Sequence, residues 1–446
     1  MATLATAIET KAERERGERT LAYNALLLFT FLYYTRPEDL IPGLSFIPIE
    51  KIIGGIALIA LISTLASGRG NRKLPLELKL LLLLFAHLVI SIPFAYWRGG
   101  AFATVFYKFS KEVTVGLLVT MIVTDFIQLR KLLWVQAAAL VATTIASILI
   151  HRTSEGGRLI GALGGTFENP NDLAINIAIN WPLCLGFLLL AKGMGKKVAW
   201  TVGILAMLLG VVLTYSRSGL VATAVAVVLC LWAFGFRERR YYLIAAAFFL
   251  CLAGTVVIFG TPHYLARVES IFKGDIQGSQ DKGSLEARRK LLMLSIDEAV
   301  HHPIFGIGAG NFGAATKTWK VTHNTYTEFA SEGGFPALIL FLAILYLSFR
   351  NLRRVRQLPA YRDNPEVRVL TDAMWASLAA FIVGSFFASY EYELFSYFMM
   401  AYTSVLYRWC AANAAELASG EPVTTKTPLK LQPWQRYHEP REAWKR

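Results

Sequence analysis

The chain alternates between long apolar runs and short polar interruptions. Stretches of close to twenty residues, almost free of charge, recur along most of its length. As helices they are long enough to cross roughly 30 Å of hydrocarbon. Their spacing predicts spans at about 21–35, 47–66, 74–94, 104–124, 132–150, 172–191, 198–214, 218–235, 241–260, 335–350, 369–389 and 393–409. The expected fold class is an all-α polytopic membrane protein with about twelve transmembrane helices. The same pattern divides the chain into a cytoplasmic segment 1–20, helices one to nine over 21–260, a large outer loop with short helices over 261–334, helices ten to twelve over 335–410, and a cytoplasmic tail 411–446. The first twenty residues carry KAERERGER and are too charged for an ordinary signal peptide. The first span is therefore expected to stay as an uncleaved helix.

Charge refines this picture. The chain has 446 residues, of which 55% are apolar and 17% charged, where a soluble protein has about a quarter charged. The net charge of +14 would suit nucleic acid on a soluble domain, but its distribution argues otherwise. GRGNRK, QLRK, AKGMGKK, GFRERR and RNLRRVRQLPAYRDNPEVR fall in alternate interruptions, which places them and both termini on the cytoplasmic side. The basicity is mostly topology, and nucleic-acid binding is excluded. Cys184, Cys230, Cys251 and Cys410 lie in or at the ends of spans. They read as packing residues, with neither a disulfide framework nor a zinc spacing.

The opposite face gathers the chemistry. It carries HRTSEGGRLIGALGGTFENPND at 151–172 and the long loop. Within the loop, SLEARRKLLMLSIDEAVHHP reads as a partly amphipathic helix, with Ser284 as N-cap, Glu286 in the first turn and Pro303 as the stop. IFGIGAGNFG follows as a glycine-rich turn, since no strand precedes it to make a dinucleotide loop. Cations stand on this face too: Arg217 in TYSRSG, Lys108 and Lys111 in FYKFSKEVTVG, and Arg288 and Arg289 on the loop helix. Each alone has a plain structural reading. Arg217 could anchor at the interface, Lys108 and Lys111 could meet lipid headgroups, or Lys108 could pair with Glu112 one turn on. One of the two loop arginines could be a solvated face, and His323 could simply end a helix. Together, three separated segments present Arg, Arg and His at one membrane depth. That set suits an anionic headgroup, most simply a diphosphate, because guanidinium matches phosphate geometry in two-point fashion. Glu391 to Glu393 (EYE) could hold a cation, without an accompanying ligand set, and Asp297 and Glu298 show no evident pairing.

TYSRSG, EARRKLLMLSIDEAVHHPIFGIGAGNF and HNTYTEFASEGG closely resemble the O-antigen ligase family of bacterial polytopic glycosyltransferases. GALGGTFENPNDLA at 161–174 is similar to that family's glycine-rich segment. The resemblance runs from about Gly161 to Pro336, with Thr327 standing where a leucine is expected. RPEDLIPGLSFIP is similar to branches tied to exopolysaccharide. The resemblance implies a bundle of roughly a dozen helices with a large periplasmic loop, in the bacterial inner membrane. It implies a glycan donor on an undecaprenyl diphosphate carrier, and an acceptor hydroxyl on lipid A-core or another glycan. His323, Arg217 and Arg288 become the catalytic set. Arg217, Arg288, Arg289, Lys108, Lys111 and Asn324 become diphosphate or substrate ligands, and Glu332 and Asn171 supporting residues. His323 would serve as base or, protonated, as diphosphate ligand. No cofactor or metal is expected, membrane lipids are partners, and single-step attack would invert the anomeric centre. The rival readings are a polymerase of the same superfamily, a protein O-glycosyltransferase, and a flippase or transporter for lipid-linked sugars.

Overall fold

The structure is a computed structural model and describes residues 21–35, 49–66, 74–154, 157–162, 167–260 and 281–419. The segment 1–20, RPEDLIPGLSFIP, residues 261–280 of the long loop and the tail after 419 lie outside the described residues.

The apolar runs fold into helices. In chain order these begin with α1 (Leu21–Thr35), α2 (Ile49–Ala66) and α3 (Leu76–Ser91), the last closing in a 3₁₀ turn at Ile92–Phe94. Helices α4 (Arg98–Ala103) and α5 (Ser110–Ile122) are joined through a π turn at Thr104–Phe109, and α6 covers Phe126–Ile150. After α7 (Pro170–Leu190) and α8 (Met194–Leu213) comes α9 (Arg217–Cys230), prolonged by a π turn at Leu231–Arg237, and then α10 (Tyr241–Gly260). The loop contributes α11 (Asp281–His301) and α12 (Phe312–Ala315). The chain continues with α13 (Thr325–Val355), α14 (Pro359–Asp363), α15 (Pro365–Gly384) and α16 (Leu394–Ser419).

Among the described residues, seven helical stretches are long and apolar enough to cross a membrane: Leu76–Phe94, Phe126–Ile150, Pro170–Leu190, Met194–Leu213, Arg217–Arg237, Thr325–Val355 and Pro365–Gly384. Leu21–Thr35, Ile52–Ser63 and Tyr241–Leu250 are shorter apolar helices. This is an α-helical, multi-pass membrane protein, although length and composition establish fewer spans than the expected twelve.

Three local differences from the sequence reading have physical causes. The 151–172 segment contains a small antiparallel hairpin, β1 (Thr153–Ser154) with β2 (Arg158–Leu159), too short to leave an alternating pattern. The loop helix starts at Asp281, ahead of the expected Ser284 cap; residues 281–283 contain no proline to stop the helix short of that point. Helix α13 starts at Thr325, ten residues before the predicted span, and breaks at Gly334 (φ 73°, ψ 177°). Its first part carries polar side chains that protein buries, so a search for apolar runs passes over it.

Helix α7 is almost wholly buried and packs against α8, α9 and α15. Lipid tails are as apolar as leucine, so close fit and hydrogen bonds hold such helices together. Gly219, in the SRSG stretch, lies against Ala174 so closely that a Cβ would collide with it. Gln136 donates to Asn180 (2.7 Å) and accepts from Tyr402 (2.8 Å) inside the bundle. At the end away from His323, buried Asp372 accepts from Arg237, from Arg356 (2.8 Å) and from the Tyr361 hydroxyl (3.0 Å). Arg356 also lies 4.2 Å above the Trp375 ring.

Candidate active site

The site is assembled where α7, α9, α13 and α16 begin and α15 ends. Its organising element is the turn 385–393 between α15 and α16. The Thr325 N–H donates to the Ser385 and Ala388 carbonyls, both at 2.9 Å. The Thr325 hydroxyl donates to Ala388 O (2.7 Å) and accepts the Tyr390 N–H (2.9 Å). Further along, the Tyr390 hydroxyl reaches Asp172 O on α7 (3.2 Å), and the Tyr392 hydroxyl donates to Glu332 (2.9 Å). Glu393 pairs with Lys108 (3.4 Å).

His323 immediately precedes the α13 cap and takes a left-handed conformation, φ 57°, which costs a non-glycine residue on the order of 1 kcal/mol or more. Hydrogen bonds offset that cost. The His323 N–H donates to Ser389 Oγ (3.2 Å), and the Ser389 hydroxyl donates in turn to Glu328. The Asn324 N–H donates to Thr322 Oγ1 (3.0 Å), whose hydroxyl donates to the same carboxylate (2.7 Å). Buried Glu328 thus fixes the backbone on both sides of the imidazole through two hydroxyls. Among the described residues the imidazole itself makes no hydrogen bond, which leaves its ring nitrogens available. Burial, then Arg288, then Lys320 push its pKa down from the ordinary 6.5 to about 4. It is therefore neutral at physiological pH.

Arg288 is half-buried on α11, facing His323 closely enough to lower its proton affinity, whereas Arg289 is exposed. The structure therefore separates the two neighbours that the sequence left side by side. Arg217 opens α9 behind the Ser216 cap. Five residues on, Ala222 abuts Gly384 at the end of α15, next to the Ser385 that binds Thr325. Arg217 and His323 thus share one end of the bundle. Asn171 supports the Arg217 turn: its Oδ1 accepts from Ser216 Oγ (2.9 Å) and from Arg158 Nη2 (2.8 Å), while Arg158 Nε donates to Thr214 O (3.0 Å).

Glu332 is a structural post. Its carboxylate accepts the Gly310 N–H (2.7 Å), the Phe312 N–H (3.0 Å) and the Tyr392 hydroxyl. Backbone bonds from Ile307 to Ser331 O (2.8 Å) and from Gly308 to Glu332 O (2.9 Å) complete the junction. GIGAGNFG is accordingly a turn clamped to α13. Asn324, expected on substrate, has its amide occupied as the α13 cap. Oδ1 accepts the Tyr326 and Thr327 N–H groups, both at 3.1 Å, and Nδ2 donates to Phe386 O (3.4 Å). Lys108 pairs with Glu393 instead of Glu112 and lies over the Tyr392 ring at 5.9 Å. Lys111 is exposed. Asp297 and Glu298, read as unpaired, face His301 (3.4 Å) and His302 (3.6 Å) one turn on. Among the described residues no group of three or more His, Cys, Asp or Glu side chains could hold a metal ion.

Sequence reasoning missed Glu328, Ser389, Tyr392 and Arg158. The EYE string was visible, but its partners were not.

The chain is a multi-pass helical bundle that brings His323, Arg217 and Arg288 to one end. Residues 202–342 match the family model described as O-Antigen ligase. That stretch includes Arg217, Arg288, His323 and Glu332. A solved chain from work entitled "Structural coordination of polymerization and crosslinking by a peptidoglycan synthase complex" is similar at 13% identity, with a TM-score of 0.43. The similarity covers 74% of this chain and 96% of that one. No curated protein matches the chain.

Proposed function

We propose that this protein is an O-antigen ligase-type glycosyltransferase at the periplasmic face of the bacterial inner membrane, with both termini cytoplasmic. It moves a glycan from an undecaprenyl diphosphate carrier to a hydroxyl of lipid A-core. The observation that carries this reading is Arg288 set against an uncharged, hydrogen-bond-free His323 imidazole at the end of a membrane bundle.

In the reaction the acceptor hydroxyl attacks the anomeric carbon as its proton passes to a ring nitrogen of His323. The bond from that carbon to the diphosphate oxygen breaks, and its electron pair leaves with the carrier. Arg217 and Arg288 stabilise the departing charge, a preorganised effect of about 2.7–4 kcal/mol per donor in comparable sites. Attack from behind the leaving group inverts the anomeric centre, and the arginines take the role a metal would otherwise have. Glu328, Ser389 and Thr322 hold the base in place, while Glu332 holds the loop that presents Arg288. A second reading, a polymerase whose acceptor is another carrier-linked glycan, is favoured by RPEDLIPGLSFIP.

Purified protein given carrier-linked donor and lipid A-core in EDTA should transfer glycan, and His323→Ala should abolish transfer. Extension of a second carrier-linked glycan alone would establish the polymerase. Flipping of the donor without transfer would end the enzyme reading.

A further inference from the structure

Helix α11 has three faces. Leu291, Ser295 and Ala299 are buried, and Arg288 lies on that side. Glu286, Lys290, Asp297 and His301 form an exposed polar stripe. Between these faces Met293, Ile296 and Val300 are also exposed, at spacings of three and four residues that align them on one side of a helix. Arg289 heads this apolar stripe, and Ile304 prolongs it past the helix end, 59% exposed.

An apolar stripe beside a polar one is costly in water, but it is the form of a helix that lies in a bilayer interface. What the stripe joins identifies its cover. The Phe335 N–H donates to Pro303 O (2.8 Å), and Gly334 packs against the Ile304 backbone. Phe335 opens the apolar part of α13, whose Phe335, Ile339, Leu342 and Tyr346 are exposed along one membrane-facing side. On the other flank Phe305 stacks on Phe94 at 4.5 Å, at the exposed end of the α3 span. Tyr96, whose N–H donates to Ile307 O (2.8 Å), and Trp97 are exposed beside it. Such aromatics are enriched at the headgroup level. The stripe thus continues the lipid-facing surface of two spans.

We infer that α11 lies in the headgroup–acyl boundary of the leaflet on the site's side. Met293, Ile296, Val300 and Ile304 contact acyl chains, and Arg289 stands at phosphate level. The bilayer itself then sets the depth of Arg288 on the buried face.

The test uses full-length protein in phosphatidylethanolamine–phosphatidylglycerol vesicles, with native cysteines replaced and a nitroxide on Ile296→Cys, Val300→Cys, Asp297→Cys or Ile339→Cys. Collisions with oxygen report hydrocarbon, and collisions with a water-soluble nickel chelate report water. Labels at 296 and 300 should match 339, with an oxygen-to-nickel ratio several-fold above that at 297. A ratio at 300 equal to that at 297 would put the stripe in water and overturn the inference. Shielding from both reagents with dipolar broadening would also overturn it, by placing a second copy there. In the native chain, a phospholipid with a photoreactive acyl chain should label the Leu291–His301 peptide. Labelling confined to the spans would count against the assignment.

Discussion

In the proposed reaction the proton affinity of His323 has to change. In the empty site its pKa is held near 4, so the ring is ready to accept a proton but holds it weakly. A bound diphosphate reverses the local field, because its negative charges favour the imidazolium. The acid limb of kcat should therefore lie at higher pH than that of kcat/KM. Arg288 is one of the charges that depress the pKa, so Arg288→Gln should move the kcat/KM acid limb to higher pH. It should also slow transfer by about 100-fold or more, while Arg289→Gln leaves the pH profile in place. Paired pH–rate profiles measure both effects. Much of this site was legible at the residue scale because Arg217, Arg288, His323 and Glu332 lie in compact strings. Ser389 and Glu328 stand 61 positions apart, and a serine in a turn carries no periodic signal. Asn324 was visible but misread. Placing the span start at 335 hid the cap that the residue makes at 324.

At the scale of elements, two π turns do comparable work. One turns Lys108 toward Glu393 and the other turns Arg237 toward Asp372. Each places a cation where a regular helix would aim it elsewhere. The Gly334 break is more demanding, since its φ of 73° and its contact with the Ile304 carbonyl both exclude a side chain. Gly334→Ala should destabilise the protein by about 1–3 kcal/mol, seen as a lower melting temperature in detergent. Transfer should fall with it, because the same junction supports the Arg288 helix. Apolar runs announced the long helices, since hydrocarbon thickness dictates their length. The 325–333 helix and the 153–159 hairpin are stabilised by neighbours, and nothing in their own composition declares them.

On the scale of the whole molecule, the two ends differ in kind. One end is fastened by Asp372 between Arg237, Arg356 and Tyr361, which ties α9, α13, α14 and α15 together. Asp372→Ala should lower stability by about 2 kcal/mol, read from thermal unfolding, and leave the pH dependence of transfer unchanged in the surviving fraction. The other end is organised by the turn 385–393, whose residues reach Thr325, His323, Glu328, Asp172, Glu332 and Lys108. A sequence change of one register step there would misplace every one of these partners together. Whoever sets out to retarget this protein to a new acceptor should therefore leave that turn untouched.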